Sequence, residues 1–428
     1  MAVGVDARAP SSSDVVVVGG GAIGVCVALE LARRGIEVTL LERGGELAAG
    51  CSAGNAGLIC PSHATPLANP AALRDGLRWL ARPDSPFYLR PRPGVLPWIA
   101  RFVAASRPER AKAASRVVRE LSLASLGMHA ELAAAGLETR FVQSGSLSVL
   151  LSDDAFAGAQ REAEESRRAG VPAEVLEGGQ ASELEPSLSG EPAGAVYYPE
   201  DAHCDPYRFV QAVGGAAAEA GARICTRVEV LALRRANGRI ERLQTTAGDV
   251  RAGTVVIAAG AWSPPLARGL GVYMPIEGGK GYHVDLEPAV GDPSRPVWFQ
   301  ESRVIATPLP GRLRLAGTLE LAGLDESVNR VRVEAIVKAA RRGLAGLEGR
   351  RVLEVWRGLR PCTPDGLPLV GRCETPENLV LASGHAMMGL TLAPVTGRLV
   401  GELVAGEEPS HDLRPLRPGR FQPLLGRD

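Results

Sequence analysis

The stretch DVVVVGGGAIGVCVALELARRGIEVTLLERG, residues 14–44, decides the fold. Four consecutive valines, residues 15–18, form a β-branched run without alternation, which predicts a strand buried on both faces of a parallel sheet. Three glycines follow in G-x-G-x-x-G spacing, and apolar residues then recur at helical spacing until Gly35. A second apolar run ends at Glu42. The stretch therefore predicts a βαβ unit.

This unit predicts a phosphate-binding cradle. Gly19 permits the tight turn, Gly21 lets the backbone approach a pyrophosphate, and Gly24 lets the helix pack closely on the strand. The helix N-terminus offers unpaired N–H groups and partial positive charge to phosphates. Glu42 can accept hydrogen bonds from both ribose hydroxyls of an adenosine and would repel a 2′-phosphate. We therefore expect an adenine dinucleotide other than NADP.

The bulk composition narrows the class of protein. The 428 residues carry zero formal net charge, which argues against a nucleic-acid partner. The seven cysteines are spread singly without zinc or CxxC spacing, which predicts a reducing, cytoplasmic setting and no metal site. The longest apolar run is too short and broken for a transmembrane helix, and residues 1–13 read as a tail without signal-peptide features.

The first unit alone does not distinguish NAD from FAD, because both carry ADP. The small-residue run GGELAAGCSAGNAGLICPSH, residues 44–63, suits a chain that passes flat against a large planar ring. Two later strand-and-glycine segments, TVVIAAGAWSPPL at 254–266 and NLVLASGHAMMGLTLAPVTGRLVGELVAG at 378–406, predict further returns to the same dinucleotide. We expect a helix from about Ala393 in the last of these, with its N-terminus aimed at a ring edge. This pattern fits a chain that interleaves two domains and favours FAD, although an NAD-dependent dehydrogenase stays an alternative.

At this point the sequence resembles the D-amino acid oxidase superfamily of FAD enzymes, most closely its D-amino acid dehydrogenase and glycine oxidase branch. The motifs that carry the resemblance occur in family order over nearly the whole chain. They are VVVVGGGAIGVCVALELARRGIEVTLLER, CSAGNAGLICPSHATPLANP, RPDSPFYLRPRPGVLPWIARF, TVVIAAGAWS, GGKGYHVDL, LRLAGTLELAGLD, WRGLRPCTPDGLPLVG and SGHAMMGLTLAPVTG.

The resemblance implies an extended, non-covalently bound FAD. Its adenosine would lie near Glu42, Arg43 and Val228, and its isoalloxazine ring against residues 52–58. Together with the glycine cradle, the expected cofactor-binding residues are Gly19, Gly21, Ala22, Ile23, Gly24, Glu42, Arg43, Ser52, Asn55, Ala56, Gly57, Leu58, Val228, Ala259, Gly260, Gly384, Met388, Gly389, Leu390 and Thr391.

The substrate end of the site needs a partner for a carboxylate. A guanidinium is the best bidentate partner, and WRGLRPCTPDG supplies Arg357 and Arg360. Arg360 stands in an apolar-and-turn context, and the family motif places its carboxylate-binding arginine there. The alternative is a structural arginine paired with Glu354 or Asp365.

Two weaker catalytic candidates are Tyr282 and His385. Tyr282 could hold the carboxylate through its hydroxyl, but it neighbours His283 on a predicted strand, so only one of the two can face the ring. A packed core tyrosine and a structural histidine are the alternative interpretations. Glycine oxidases carry an arginine at the position of Met387, and this departure indicates a more apolar pocket.

The predicted fold class is α/β: a Rossmann-type, glutathione-reductase-like FAD domain interleaved with an α+β substrate domain built on an antiparallel sheet. We expect the FAD domain to comprise residues 14–85, 145–275 and 355–410, and the substrate domain residues 86–144 and 276–354. Residues 411–428 read as an extended tail. The aromatic and arginine-rich segment at 77–102 is interpreted as a partly packed lid, with contact to a membrane surface from the cytoplasmic side as the alternative.

The predicted function is FAD-dependent oxidative deamination of a D-amino acid, with hydride transfer from the substrate Cα to flavin N5, giving an imino acid and then a 2-oxo acid. One alternative is oxidation of a cyclic or N-substituted amino acid such as D-proline, hydroxyproline, sarcosine or glycine. An alternative of another class is a nucleotide-binding subunit of an electron-transfer complex. The expected electron acceptor is oxygen, a quinone or a partner flavoprotein.

Overall fold

A computed structural model describes residues 9–79 and 85–421 of the chain. The strands are β1 (Ser12–Val18), β2 (Val38–Leu41), β3 (Leu58–Ile59), β4 (Phe87–Leu89), β5 (Ser146–Leu150), β6 (Glu174–Glu177), β7 (Gly194–Tyr198), β8 (Ala202–His203), β9 (Arg223–Cys225), β10 (Val230–Ala236), β11 (Arg239–Thr245), β12 (Gly248–Ile257), β13 (Glu277–Leu286), β14 (Val297–Phe299), β15 (Val304–Leu309), β16 (Arg312–Leu321), β17 (Val352–Cys362), β18 (Leu369–Arg372) and β19 (Leu379–Ser383). The α-helices are α1 (Ala22–Arg33), α2 (Pro70–Trp79), α3 (Leu96–Ala105), α4 (Pro108–Ala134), α5 (Asp153–Arg168), α6 (Gly178–Leu184), α7 (Pro206–Glu219), α8 (Ser263–Arg268), α9 (Arg330–Gly343) and α10 (Ala393–Ala405).

The valine run forms the centre of the first sheet. β1 pairs in parallel with β2 on one side and with β12 on the other, and the parallel strands β9 and β19 extend the sheet in the two directions. The antiparallel strands β10 and β11 continue from β12. The valines of β1 are buried because α1, α7 and α10 cover one face of this sheet and a second apolar cluster covers the other. The βαβ prediction is confirmed, including the end of α1 before Gly35, whose φ is +71°.

The second sheet is larger and mostly antiparallel. Its strand order is β17-β13-β16-β15-β14-β5-β7-β6, with β4 added in parallel beside β16 and β14 paired in parallel with β5. Helix α9 packs against one face of β13, β15 and β16 around Ile336 and Ala340, which are fully buried. Residues 276–354 therefore contain antiparallel strands, as expected of the substrate domain, together with helix α9.

The sheet pairing corrects the predicted domain boundaries in two places. Strands β5, β6 and β7 fall within the predicted FAD segment 145–275 but belong to the second sheet. Helix α4 falls within the predicted substrate segment 86–144, yet its buried residues join the apolar cluster that contains α1 and α10. Both differences come from contacts between residues far apart in the chain. Strand β14, for example, pairs with β5 about 150 residues before it, and local sequence patterns do not predict such a pairing.

The C-terminal tail is packed rather than extended up to residue 421. It forms short 3₁₀ turns at Arg414–Leu416 and Pro418–Phe421. Arg420 donates two hydrogen bonds to the carboxylate of Asp365, at 2.8 and 3.1 Å. This ion pair fixes the tail beside β18. Of the N-terminal tail, residues 12 and 13 already belong to β1, while residues 1–8 and 422–428 lie outside the described residues.

The aromatic and arginine-rich segment at 77–102 is described except for residues 80–84. Its strand β4 pairs with β16, and the indole Nε1 of Trp98 donates to the carbonyl oxygen of Cys362 at 3.0 Å. Across the ranges 9–79 and 85–421, every helix is too short or too polar to traverse a lipid bilayer.

Candidate active site

A cavity of about 710 Å³ lies between the two sheets. Its walls come from the carboxyl ends of β1 and β2, the start of α1, the loop at 49–55, the turn after β12, the segment after β19, and the facing residues of β13 and β17. This volume is within the usual range for a cofactor or ligand site. The carboxyl edge of a parallel sheet is also where α/β folds bind nucleotides.

The glycine cradle has no room for side chains at the two positions that shape it. Gly19 has a φ of +113°, and a Cβ there would stand 2.6 Å from the carbonyl oxygen of Ala258. A Cβ on Gly24 would overlap the carbonyl oxygen of Gly19. Gly21 is different, because its nearest obstacle is the hydroxyl of Ser52 at 3.0 Å and it lines the cavity. The close approach at Gly21 is therefore available to a ligand.

The start of α1 faces the same cavity. Its N-cap is Gly21, which offers no capping side chain, so the amides of the first turn are left for other acceptors. The amide of Ala22 donates to Ser52 Oγ at 3.0 Å, which ties the loop at 49–57 to the helix start. An unfilled helix N-terminus of this kind favours a phosphate.

Glu42 stands directly after β2 at the other end of the cradle. Its carboxylate accepts hydrogen bonds from the amides of Gly20 and Gly44, each at 2.6 Å. A carboxylate has about four acceptor positions, so two remain for hydroxyl groups. Glu42 and Val228 both line the cavity. Val228 lies in the connection between β9 and β10, and its amide donates to the carbonyl oxygen of Glu42 at 2.9 Å.

Arg360 lies on the opposite wall, on β17. Its Nη1 donates to the carbonyl oxygen of Thr318 at 2.7 Å. No carboxylate of the described residues stands within ion-pair distance of it: of the two alternative partners, Asp365 pairs with Arg420 and Glu354 lies 3.3 Å from His283 Nε2. Burial lowers the pKa of the Arg360 guanidinium, and the thiols of Cys362 and Cys51 act in the opposite direction. A half-buried cation without a counter-ion on a cavity wall is suited to an anionic ligand.

The floor beneath Arg360 consists of glycine. Gly281 of β13 lies directly opposite Gly358 of β17, and a Cβ at position 281 would overlap the Arg360 guanidinium. The indole of Trp356 fills the space that a side chain at Gly54 or Gly358 would need. The flat guanidinium and the flat indole therefore lie side by side on the cavity face of β17.

The alternation along β13 corrects the expectation for Tyr282. Tyr282 points away from the cavity into the core of the second sheet, where its hydroxyl donates to Glu320 at 2.9 Å and accepts from the amide of Asn329. Its neighbour His283 occupies the cavity side of the strand and stacks on Trp356, with ring centroids 5.3 Å apart. The predicted contact of Tyr282 with a substrate carboxylate is therefore not compatible with this register.

His385 lines the cavity, and its ring is held in place by a residue of α10. Its Nε2 lies 3.0 Å from the hydroxyl of Thr396 in α10. Burial lowers the pKa of His385 to about 3, so the imidazole is neutral at physiological pH. The ring therefore offers the cavity a neutral surface rather than a charge.

The cavity brings together most of the sequence-predicted cofactor residues. Those that line it are Gly19, Gly21, Ala22, Ile23, Glu42, Arg43, Ser52, Asn55, Val228, Ala259, Gly260, Gly389 and Leu390. Within the described chain, the other expected residues do not line it, and they are Gly24, Ala56, Gly57, Leu58, Gly384, Met388 and Thr391. Thr391, for example, donates its hydroxyl to the carbonyl oxygen of Leu58 at 3.2 Å.

Sequence reasoning missed several lining residues. Trp356 lies on the same face of β17 as Arg360, and the i, i+2, i+4 spacing within WRGLR could have identified it. Trp262 lies under the guanidinium of Arg43, with 4.0 Å between the guanidinium carbon and the ring centroid. Cys51 also lines the cavity, and no sequence signal distinguishes it from a core cysteine.

One cluster near the cavity has the composition of a metal site. His283, Asp285 and Glu354 can bring three ligand atoms within 4.8 Å of one another. Asp285, however, accepts two hydrogen bonds from Arg314 at 2.8 Å each, and this cation competes with any metal. The expectation that the protein binds no metal stays a prediction.

The cradle and Arg360 open on one cavity, so this geometry defines a class: a nucleotide-binding protein whose cavity has a phosphate cradle at one end and, at the other, a guanidinium without a carboxylate partner among the described residues. Comparison with known proteins identifies the family. The FAD dependent oxidoreductase family matches residues 14–403. The chain belongs to this family, and FAD is its cofactor. The cradle without side chains, the open start of α1 and the half-engaged Glu42 fit the pyrophosphate and ribose of that cofactor.

Similar proteins cover the chain almost completely. A D-amino acid dehydrogenase of Paramagnetospirillum magneticum is 35% identical over 421 residues, covering 96% of this chain and 99% of the relative. One of Cereibacter sphaeroides is 33% identical, covering 92% of each chain. Among solved structures, glycine oxidase from Geobacillus kaustophilus is similar with a TM-score of 0.79 and 27% identity, covering 96% of this chain and 99% of that one. L-Proline dehydrogenase from P. horikoshii shares the fold with a TM-score of 0.75 at 24% identity, covering 96% and 98%.

Proposed function

We propose that this enzyme oxidises an α-amino acid, with the D-enantiomer preferred, and that Arg360 binds the substrate carboxylate. The observation that carries the proposal is the Arg360 guanidinium on the cavity wall without a carboxylate partner among the described residues. The names of the relatives, D-amino acid dehydrogenases at 33 to 35% identity, support the substrate class and are the basis for the stereochemistry.

Within this proposal, the protein's residues bind and orient the substrate. Arg360 donates to the carboxylate, and Trp356, whose indole lies over Gly358 on the same face of β17, borders the space left for the rest of the substrate. Bound FAD would supply the acceptor for the hydride that leaves Cα, and water would hydrolyse the imino acid product to a 2-oxo acid and ammonia. We propose that FAD is held without a covalent bond, since the Cys362 thiol is fully buried behind the cavity wall.

The cavity offers little acid–base machinery, which agrees with hydride transfer from a neutral amine. His385 is neutral, and its Nε2 faces Thr396. His283 is turned toward Gly54 and Glu354. The amino group would therefore lose its proton to water before the substrate enters the cavity. This predicts a rate that rises with pH as more of the substrate amine becomes neutral.

The substrate side chain would meet an apolar surface with a charged rim. Trp356, Ala386 and Met387 line this part of the cavity. At its rim, Arg357 donates from Nε to the carbonyl oxygen of Glu326 at 2.6 Å and pairs with its carboxylate at 3.5 Å. Because these two charges are paired, they leave an uncharged side chain as the favoured partner. A cyclic or N-substituted amino acid is the second candidate, favoured by the likeness to glycine oxidase.

The electron acceptor is proposed from the relatives and not from the geometry of the cavity. We propose a quinone or a partner flavoprotein, from the dehydrogenase names of the relatives, with oxygen as the alternative. A cytoplasmic location is likewise proposed from the singly spread cysteines, and peripheral membrane contact stays with the segment at 77–102 as an alternative.

The test is an anaerobic titration of the purified FAD-loaded protein with a panel of D- and L-amino acids, proline and sarcosine, followed by flavin absorbance. The proposal predicts bleaching by uncharged D-amino acids, and re-oxidation on addition of a quinone analogue faster than on addition of air. Bleaching by sarcosine or proline alone would favour the second candidate. If no amino acid bleaches the flavin, the substrate assignment is wrong.

A further inference from the structure

The loop at 52–57 is held by the second sheet through its backbone. Arg314 of β16 donates from Nη1 to the carbonyl oxygens of Ala53 at 2.7 Å and Asn55 at 2.8 Å. Between them, the carbonyl oxygen of Gly54 lies 3.3 Å from Nδ1 of His283. Three consecutive carbonyl groups of one loop therefore point at two side chains of one sheet.

Arg314 is fixed from behind by a carboxylate. Asp285 of β13 accepts from Nε and Nη2 of Arg314 at 2.8 Å each, in bidentate geometry. Arg314 is 3% exposed and Asp285 is 2% exposed. Burial alone would raise the pKa of Asp285, but the hydrogen bonds and charge of Arg314, with His283 and Arg312, hold it below its usual value. The carboxylate is therefore ionised, and it orients the guanidinium so that Nη1 faces the loop.

A second arginine secures the same carboxylate. Arg312 Nε lies 3.0 Å from Asp285 Oδ2, and its Nη2 donates to Asp205 at 2.7 Å. Asp205 in turn accepts from the amide of Arg208 at the start of α7, a helix of the nucleotide sheet. The contacts from Asp285 through Arg312 to Asp205 therefore connect the second sheet to helix α7, which packs on the first sheet.

The loop needs such support because its own hydrogen bonds are few. Asn55 Oδ1 accepts from the amide of Gly57 at 2.8 Å, and the amide of Asn55 donates to the carbonyl oxygen of Ser52 at 3.1 Å. Gly54 and Asn55 line the cavity. Arg314 contacts the carbonyl groups of the loop from the side of the second sheet. The side of the loop that faces the cavity is therefore free to contact a ligand.

We propose that Arg314 is a positioning residue that holds the loop at 52–57 against the ring of the cofactor. The proposal rests on the proposed function for FAD in this cavity, and on the family resemblance for the ring lying against residues 52–58. A lysine cannot replace this arginine, since one ammonium does not reach two carbonyl oxygens and two carboxylate oxygens in a single plane. Arg314 contacts neither the glycine cradle nor Glu42, and its loop meets the cradle through the bond from Ala22 to Ser52 Oγ, so Lys or Ala at position 314 should affect the ADP half less than the ring half.

The two halves of the cofactor give a readout that a general loss of stability would not produce. The experiment measures the Kd of the apoprotein for FAD and for ADP by fluorescence titration, in wild type, Arg314→Lys and a matched control, Arg351→Lys. Arg351 also pairs with a carboxylate, Glu287, but it is exposed and lies away from the cavity. The Arg314→Lys variant should raise the Kd for FAD by about tenfold or more, while the Kd for ADP and both values of Arg351→Lys stay within about twofold of wild type.

The absorbance spectrum of the bound flavin provides a second measurement, since a displaced loop changes the surroundings of the ring. If Arg314→Lys does not fold, Asp285→Asn keeps the arginine but releases its orientation, and the same selective loss of FAD affinity is expected. The proposal is overturned if the variant that folds keeps the wild-type ratio of the Kd values for FAD and ADP, whether both values stay unchanged or both rise by the same factor. Because no amino acid enters this experiment, its outcome is independent of whether the proposed substrate is correct.

Discussion

The guanidinium of Arg360 lies against the backbone of Gly281, in the space where any other residue at position 281 would place its Cβ. The three atoms nearest to such a Cβ all belong to this guanidinium, and the backbone of Gly281 lies within strand β13. A methyl group at this position must therefore displace the arginine rather than the strand. This contact makes the glycine a test of whether the orientation of Arg360 matters.

We predict that Gly281→Ala lowers kcat/KM for the amino-acid substrate by about 10- to 100-fold, because a displacement of about 1 Å in a binding group is enough for such a loss. FAD affinity should not change, since the cradle lies at the far end of the cavity. Gly127→Ala is the matched control, because Gly127 is an exposed position of α4 with open space around it. Equal kinetics for the two variants would mean that the Arg360 orientation is not required.

The glycines of the cradle should separate ligand binding from folding. Gly24→Ala is expected to destabilise the fold strongly, because its Cβ would overlap the Gly19 carbonyl where α1 meets β1. Gly21→Ala meets only the rotatable Ser52 hydroxyl, so the variant should fold and instead lose FAD affinity by about tenfold or more. Thermal unfolding of the apoprotein and FAD titration measure the two effects. Normal FAD binding by Gly21→Ala would remove Gly21 from the cofactor site.

The hydroxyl of Tyr282 is expected to contribute to stability and not to catalysis. It is buried and bonded to Glu320 and to the amide of Asn329. Tyr282→Phe leaves these groups with one partner fewer and should cost about 1–3 kcal/mol of unfolding free energy. The KM for the amino acid should stay within about twofold of wild type. A large rise in KM without a loss of stability would restore Tyr282 to the substrate site.

Asp201 should make the stability depend on pH. Burial raises its pKa to about 6, although its carboxylate accepts hydrogen bonds from Ser62 at 2.5 Å and Ser146 at 2.6 Å. A carboxyl group whose folded pKa is raised binds its proton more tightly in the folded state. Its contribution is therefore most favourable at low pH and becomes unfavourable as the pH rises from about 4 to 6, by up to about 3 kcal/mol.

The variant Asp201→Asn should remove this contribution, because the amide keeps hydrogen-bonding groups for both serines without a charge. The free energy of unfolding of Asp201→Asn minus that of wild type is therefore expected to be larger at pH 7 than at pH 4.5. Chemical unfolding of both proteins at the two pH values measures the difference. A stability difference that does not vary with pH would show that Asp201 titrates normally.

The sequence predicted the nucleotide half well because its signals are local. The valine run, the glycine spacing and Glu42 lie within one short segment, and each has a direct physical meaning for strand, turn or ribose. The start of α10 at Ala393 was equally legible from the glycine-rich turn before it and Pro394 in its first turn. Such features do not depend on what packs against them.

The errors have a common physical origin in long-range packing. Alternation along β13 shows that Tyr282 and His283 face opposite sides, but which side meets the cavity depends on how the second sheet lies over the first. The pairing of β5 with β14, which corrected the domain boundary, depends on residues far apart in the chain. The engagement of the loop carbonyls by Arg314 is invisible for the same reason, since a buried arginine in a strand pattern carries no sign of its partner.

The central claim, that Arg360 binds the substrate carboxylate, is tested most directly by the rate of anaerobic flavin reduction in Arg360→Ala and Arg360→Lys as a function of D-amino acid concentration. With FAD still bound, Arg360→Ala should lose about 100-fold or more in the second-order rate of reduction, and Arg360→Lys should recover part of it, because an ammonium keeps the charge but not the bidentate geometry. An Arg360→Ala enzyme that is reduced with the wild-type concentration dependence would contradict the account.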